Sequence, residues 1–317
     1  MRRTEDALSE LRRIAAEIDD PAARESLRTF VAHSSCHVVA RAAKLALQHQ
    51  IEALAPDLAA AFPRFMNDSV KRDPGCVAKV AIVTALVHFD WRDPDVYVAG
   101  IRHVQMEGTY GPPEDRAAGL RGLCGAGLAQ MRHRDAAIEL VTLLNDRWLD
   151  ARKGAAQALA RTPVVESEAL LRMKALAGDQ AAEVVGECLA GLMAGWPSRS
   201  LSFVEGFLDS PDPNIAGEAA IAIGESRHAE AFALLRRRAG RGVFEETLAL
   251  AMALTKDPAA MDYLIGVIAG GEPEALHAVR AMALYRADDA IRARVRQAID
   301  SHSNRAMHQL FDAEFNR

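Results

Sequence analysis

Two ten-residue stretches of the chain share one pattern: Ala151-Arg152-Lys153-Gly154-Ala155-Ala156-Gln157-Ala158-Leu159-Ala160 and Ile215-Ala216-Gly217-Glu218-Ala219-Ala220-Ile221-Ala222-Ile223-Gly224. An apolar residue is followed by three variable positions, then by small, small, variable, small, aliphatic and small residues. This spacing is helical, and its small residues stand where a neighbouring helix must come close. The pattern therefore predicts helices that pack tightly on one another.

The pattern recurs along the chain at intervals of 30 to 42 residues. In each of the eight copies, Ala or Gly precedes the aliphatic position. A fixed period of this length is typical of helical repeat proteins, in which each repeat contacts only its neighbours. The aliphatic residues are Leu47, Leu86, Leu128, Leu159, Leu192, Ile223, Leu254 and Leu284.

A second apolar segment follows each copy and predicts a second helix. We name the helices that carry the pattern A helices and those that follow them B helices. Asp-Pro pairs at 93–94, 212–213 and 257–258 provide an N-cap carboxylate and a proline suited to a first helical turn. Glycines at 195, 240 and 270–271 fall where helices should end. We expect an all-α protein of at least sixteen helices and essentially no sheet.

The copies at 151–160 and 215–224 resemble HEAT-like repeats of the type also found in phycobiliprotein lyases, whose pattern is V-R-x-x-A-A-x-A-L-G. Arg152 takes the arginine position and Gly224 the glycine position. The first two copies lack the arginine, and Arg280 replaces a small residue in the eighth. The resemblance implies one domain of residues 1–317: a right-handed α-solenoid (superhelix) of about eight HEAT-like helix pairs over residues 34–300. B helices would line its concave side, with helical caps at 1–33 and 301–317.

Composition and charge restrict the function classes. Half of the residues are hydrophobic and 26% are charged, which is typical of a folded chain. The net charge of −5 is spread evenly, whereas nucleic-acid surfaces usually show a positive excess, so we do not expect general nucleic-acid binding. Uncharged stretches are too short for a membrane span, and the N-terminus lacks a secretory pattern, which predicts a cytoplasmic protein.

No metal site, cofactor or catalytic residue is predicted. The four cysteines, Cys36, Cys76, Cys124 and Cys188, lack C-x-x-C spacing and are predicted to be free, buried thiols. His33 and His37 have a ligand-like spacing, but Ser34-Ser35 indicates a helix start between them. Sequence motifs for nucleotide binding, zinc proteases and serine hydrolases are absent.

The longest interval between consecutive copies of the pattern contains the candidate binding residues. A B helix is expected to end in Arg102, His103 and Gln105 and to run into a loop bounded by glycine and proline. Loops longer than a connection needs often carry function. The alternative is a solvated loop pinned by its own contacts. The candidate site is Arg102, His103, Gln105, Glu107 and Tyr110 on one accessible face, beside Trp91 or Arg121.

Two further features each have two interpretations. The third A helix contains Gly119, Gly122, Gly125 and Gly127, which favours either close helix packing or close approach of a ligand. The run Arg236-Arg237-Arg238, with Arg241, either complements the carbonyl end of its B helix or binds an acidic partner.

We expect a non-enzymatic interaction scaffold that binds a protein or peptide on the concave face. Solenoids expose extended concave surfaces by construction. The alternatives are a HEAT-like nucleic-acid-binding or DNA-repair protein and a lyase-like chromophore chaperone. A basic groove would favour nucleic acid, a mixed or acidic one a protein, and an apolar pocket with a few polar groups a small ligand. The oligomeric state is unknown from the sequence.

Overall fold

A computed structural model describes residues 2–108, 111–162, 164–239, 246–271, 273–301 and 304–316. These residues form twenty α-helices and one sheet of two short strands, so the all-α class is confirmed. The chain makes two compact units, Met1–Leu170 and Leu171–Arg317.

The first unit begins with two helices before the first copy of the pattern. Its A helices, α3, α6, α8 and α10, pack each on the next, and B helices α4 and α7 pack against α6 and α8. Its elements are α1 (Arg2–Ala16), α2 (Pro21–Val31), α3 (Cys36–Gln48), α4 (Ala55–Met66), α5 (Ser69–Arg72), α6 (Val77–His88), α7 (Asp95–Ile101), β1 (Met106–Glu107), β2 (Glu114–Asp115), α8 (Ala118–Gln130), α9 (Ala136–Leu144) and α10 (Leu149–Ala160). Helix α11 (Val165–Ala177) follows and contains the boundary between the units.

The second unit repeats this alternation. A helices α12, α14, α16 and α18 pack each on the next, and α20 packs on α18. Its elements are α12 (Ala182–Gly195), α13 (Pro197–Glu205), α14 (Pro213–Ser226), α15 (Ala231–Ala239), α16 (Glu246–Leu254), α17 (Pro258–Gly270), α18 (Ala275–Met282), α19 (Asp289–Asp300) and α20 (Arg305–Phe315). Short 3-10 turns lie at Glu52–Leu54, Pro74–Cys76, Gly206–Asp209 and Ala283–Tyr285.

The repeated pattern forms the core of both units. Ala158, Leu159, Ala222 and Ile223 are buried, as expected. Leu254 is only half-buried, and the expectation for Leu284 is wrong, since 53% of it is exposed. Helix α18 ends at Met282 and continues as a 3-10 turn, whose three residues per turn rotate Leu284 away from the buried face.

Helix ends follow the predicted signals. The Asp212 and Asp257 carboxylates accept hydrogen bonds from the N–H groups of Asn214 and Ala259 at 2.9 and 2.8 Å, and proline begins each helix. Helix α12 ends at Gly195 and α17 at Gly270, whereas Gly240 lies outside the described residues. Five A helices are followed within two residues by a non-glycine residue of positive φ: Gln50, Asp90, Arg132, Arg227 and Lys256.

The glycines of α8 support the close-packing interpretation. A Cβ atom on Gly122 would lie 2.8 Å from the Cα of Gly154 in α10, and one on Gly127 would lie 2.4 Å from the Tyr97 ring. Gly125 faces the side chain of Leu140 in the same way, at 2.8 Å. Gly119 has open space around it. Helices α7, α8 and α10 therefore come closer together than side chains would permit.

Candidate functional site

The long connection after α7 forms a small hairpin. Helix α7 ends at Ile101 with Arg102 as its C-cap, as expected, whereas His103 and Gln105 lie beyond the helix that they were expected to close. Strands β1 and β2 are antiparallel, with Met106 opposite Asp115. The sequence predicts a loop here, and two strands of two residues each are too short to show an alternating pattern.

Gln105 lies in the interior, only 1% exposed, which corrects its place on an accessible face. Its backbone N–H donates to the carboxylate of Asp115 at 2.9 Å. Its side-chain amide donates to the carbonyl oxygen of Asp73 at 2.8 Å and to Glu107 at 2.5 Å. Gln105 thus joins the hairpin to the segment before α6.

Arg121 is also buried, at 4% exposure, whereas it was expected to lie at the surface. Its guanidinium donates to both carboxylate oxygens of Asp146 at 3.1 Å, to Asp115 at 2.5 Å and to the carbonyl of His103 at 2.9 Å. Burial disfavours the charge on Asp115, but hydrogen bonds from Gln105, Arg121 and Ala117 outweigh it and lower the Asp115 pKa. Arg121 therefore holds the two ends of the hairpin together.

The remaining residues of the predicted patch have partners within the chain. The Glu107 carboxylate accepts from the N–H of Gly75 at 2.8 and 3.1 Å. The His103 ring lies 3.1 Å from the Gln105 side-chain oxygen, and burial lowers the His103 pKa. Arg102 is exposed and forms an ion pair with Glu139 of α9. Tyr110 lies outside the described residues.

The structure therefore joins His103, Gln105, Glu107 and Arg121 in one internal network, which pins the hairpin. This arrangement matches the alternative of a connection pinned by its own contacts. Trp91 is separate from them, because it precedes the first residue of α7 whereas the hairpin follows the last, about 10 Å along the helix axis.

A buried ion pair beside this network was missed. Lys79 and Asp73 are both 0% exposed, with Lys79 Nζ 3.1 Å from an Asp73 carboxylate oxygen. The ammonium also donates to the carbonyl of Phe65 at 3.0 Å. The Asp73 carboxylate accepts from the backbone N–H groups of Ala78 and Lys79, so it caps α6. The signal was a single charged residue within the apolar run of this helix.

The turn that follows α6 positions Trp91. Asp90 has a positive φ of 54°, and the N–H of Trp91 donates to the carbonyl of Leu86 at 3.0 Å, as in a Schellman C-cap. The Tyr97 hydroxyl donates to the Trp91 carbonyl at 3.2 Å. Tyr97 is itself packed on Gly127. The Trp91 backbone is thus held from both α6 and α7.

Trp91 lies at the centre of an open groove between α4 and α7, which we name the Trp91 groove. Its first compartment, of about 760 Å³, is lined by residues 52–53, 55–56 and 89–93. Its second compartment, of about 590 Å³, is lined mainly by α4 and α7 and shares Pro56, Trp91 and Asp93 with the first. Volumes of this size suit a ligand or a few side chains of a partner.

The floor of the Trp91 groove is apolar and its rim is acidic. Phe89 and Trp91 are half-buried at the floor, while Glu52, Asp93 and Asp95 are exposed at the rim. The Trp91 indole N–H is inaccessible and has no hydrogen-bond partner among the described residues. Trp91 therefore presents the apolar part of its ring to the groove.

Other candidate features have structural partners. Arg237 pairs with Glu205, Arg238 lies 3.7 Å from Asp209, and Arg236 lies over the ring of Tyr263, while Arg241 is outside the described residues. The four cysteines are free and buried, as predicted. His33 precedes α3, as expected from Ser34-Ser35.

The described residues contain no group of three potential metal ligands among His, Cys, Asp and Glu. Within the same part of the chain, none of the helices combines the length and the apolar character that crossing a bilayer requires.

No protein-family model matches this chain, and no curated protein matches it.

Proposed function

We propose that this protein is a non-enzymatic scaffold that binds a segment of another protein in the Trp91 groove. The observation that carries the proposal is the groove itself, an open apolar trough with a tryptophan at its centre and an acidic rim. Tryptophan is enriched among the residues that dominate protein interfaces. The backbone hydrogen bonds that hold Trp91 lower the entropic cost of binding.

The proposal includes the architecture implied by the resemblance to HEAT-like repeats. Seven aliphatic positions of the repeated pattern lie in α-helices, and the eighth, Leu284, lies in the turn after α18. A helices pack on A helices within each unit. These observations support eight HEAT-like pairs in one right-handed α-solenoid of residues 1–317, with B helices on its concave side and α1, α2 and α20 in its caps. We further propose a cytoplasmic location.

A protein partner is favoured over nucleic acid by the charges on the B helices. Within the second unit, Arg237, Arg238 and Arg294 are each engaged with a carboxylate of a neighbouring segment. In the first unit, the Trp91 groove has an acidic rim, which repels phosphate. A mixed and acidic surface is the one expected for a protein ligand.

A blocking substitution tests this function. Ala60 is exposed in α4 and lines the second compartment, so Ala60→Arg fills the groove with little effect on folding. The matched control is Ala169→Arg, at an exposed alanine of α11 outside the groove. Proteins retained by the wild-type chain from its native cell extract should be retained by the control and lost with Ala60→Arg, as measured by quantitative mass spectrometry.

A crosslinking measurement completes the test. A photoreactive side chain in place of Ala99, which is exposed at the groove, should crosslink the retained protein. Retention that is equal for Ala60→Arg and the wild type, or crosslinks to nucleic acid alone, would contradict the proposed function. Circular dichroism melting curves verify that each variant is folded.

A further inference from the structure

The carboxylates of the Trp91 groove have few partners within the chain. Glu52 and Asp95 have exposed side chains with no ion pair or side-chain hydrogen bond in the described part of the chain. Asp93 accepts one hydrogen bond, from the N–H of Asp95 at 3.1 Å, and forms no ion pair with a described residue. Among the described lining residues, Arg92 supplies the positive charge, and it is already paired with Asp90. An excess of negative charge therefore remains at the rim.

We infer that the segment bound in the Trp91 groove is cationic, with a Lys or Arg side chain in the first compartment and a large apolar side chain in the second. The inference rests on the proposed function and adds the chemistry of the partner.

The first compartment suits a cation because, besides the Arg92–Asp90 ion pair, it combines two further carboxylates with two aromatic rings. Glu52 and Asp93 line it together with Phe89 and Trp91. An ammonium or guanidinium group is attracted to the face of an aromatic ring, and most strongly to that of tryptophan. A carboxylate next to the ring adds a charge-assisted hydrogen bond. The same charges repel an acidic segment, which gives specificity.

The second compartment suits an apolar side chain because α4 and α7 contribute mostly small or apolar residues to it. Pro63 lies inside α4 and has no N–H, so it cannot donate to the carbonyl of Ala59, which also lines this compartment. The helical hydrogen bond from residue 63 is therefore missing on the side of α4 that lines the groove. Because the compartments share Pro56, Trp91 and Asp93, the two anchoring side chains of the ligand lie close together in its sequence.

A selection from a phage-displayed library of random dodecapeptides tests the inference. The full chain is the target, and Ala60→Arg is the counter-target that removes peptides bound elsewhere. We expect groove-dependent peptides in which Lys or Arg stands within a few residues of a large apolar residue. Groove-dependent peptides without basic residues would overturn this inference and leave the proposed function intact. If no peptide depends on the groove, both are overturned.

Charge-neutralising variants then test the roles of the rim residues. Glu52→Gln and Asp93→Asn keep the shape of each side chain, and the asparagine keeps an oxygen for the hydrogen bond from Asp95. Each should weaken binding of a selected, fluorescein-labelled peptide by about two- to fivefold in fluorescence anisotropy. The loss should shrink as salt is added, because the charges are exposed.

The matched control is Glu166→Gln, which removes an exposed carboxylate of α11 outside the groove. It should leave the affinity unchanged. Equal affinities for the wild type and for the Glu52→Gln, Asp93→Asn double variant would overturn the cationic assignment.

Discussion

At the scale of single residues, two glycines within helices have opposite effects on stability. Gly122 lies against the backbone of Gly154, where a Cβ atom would be 2.8 Å from a Cα atom. Gly266 lies in the middle of α17, and a Cβ atom there would meet nothing within 4 Å. The first glycine permits a helix contact, and the second only weakens its own helix.

We therefore expect Gly122→Ala to lower the free energy of unfolding by about 1–3 kcal/mol, because the helices must move apart. Gly266→Ala should raise it by about 0.5–1 kcal/mol. Urea unfolding followed by circular dichroism measures both values. An unchanged or raised free energy of unfolding for Gly122→Ala would show that α8 and α10 are not in this close contact.

His103 gives the hairpin network a dependence on pH. Burial lowers the His103 pKa, so the unfolded chain takes up a proton at higher pH than the folded chain. The contribution of neutral His103 to the free energy of unfolding is present at neutral pH. It is lost as the pH falls from the pKa of histidine in the unfolded chain, about 6.5, towards the lower pKa in the folded chain. Melting temperatures between pH 7.5 and 5 should fall more steeply for the wild type than for His103→Gln. Parallel curves would exclude this role for His103.

At the scale of elements, the hairpin depends on Arg121 more than on its own two strands. Arg121 joins Asp115, Asp146 and the carbonyl of His103, which lie on three separate segments. Two residues in each strand give few backbone hydrogen bonds. The fixed position of the hairpin therefore depends on a buried charge network.

Arg121→Met should lower the free energy of unfolding by about 3–5 kcal/mol, because it leaves the Asp115 carboxylate buried without its ion-pair partner. The control within the same hairpin is Arg116→Ala. Arg116 pairs with Glu114 on the surface, at 51% and 60% exposure, so its loss should cost less than about 1 kcal/mol. Chemical unfolding measures both, and similar losses for the two variants would contradict the role of Arg121.

At the scale of the whole molecule, sequence periodicity predicted what is local and repeated. The buried Ala158-Leu159 and Ala222-Ile223 pairs follow from helical spacing alone. The hairpin network was not predictable in this way, because Gln105 and Asp73 are 32 residues apart and their contact breaks the period. Trp91 was predicted as a neighbour of Arg102, but the spacing of residues in the sequence does not reveal that the two lie at opposite ends of α7. The predicted burial of Leu284 was wrong because the change from α-helix to 3-10 turn alters which side of the helix this residue faces.

The reactivity of the four cysteine thiols reports on the folding of both units. Burial raises the pKa of Cys76 and of Cys188 to about 12, so neither thiol ionises at neutral pH. Cys36, Cys76 and Cys124 report on the first unit and Cys188 on the second. A native sample should react slowly with a thiol reagent, and denaturant should release four reactive groups. Rapid reaction of any cysteine in native buffer would show that its unit opens.

The positive-φ turns after the A helices offer a route to thermostable variants of the protein. At Arg132, Arg227 and Lys256 the backbone adopts a left-handed conformation that costs a side-chain-bearing residue about 1 kcal/mol and costs glycine almost nothing. Long cationic side chains occupy these turns instead, so the sequence leaves part of the attainable thermal stability unused.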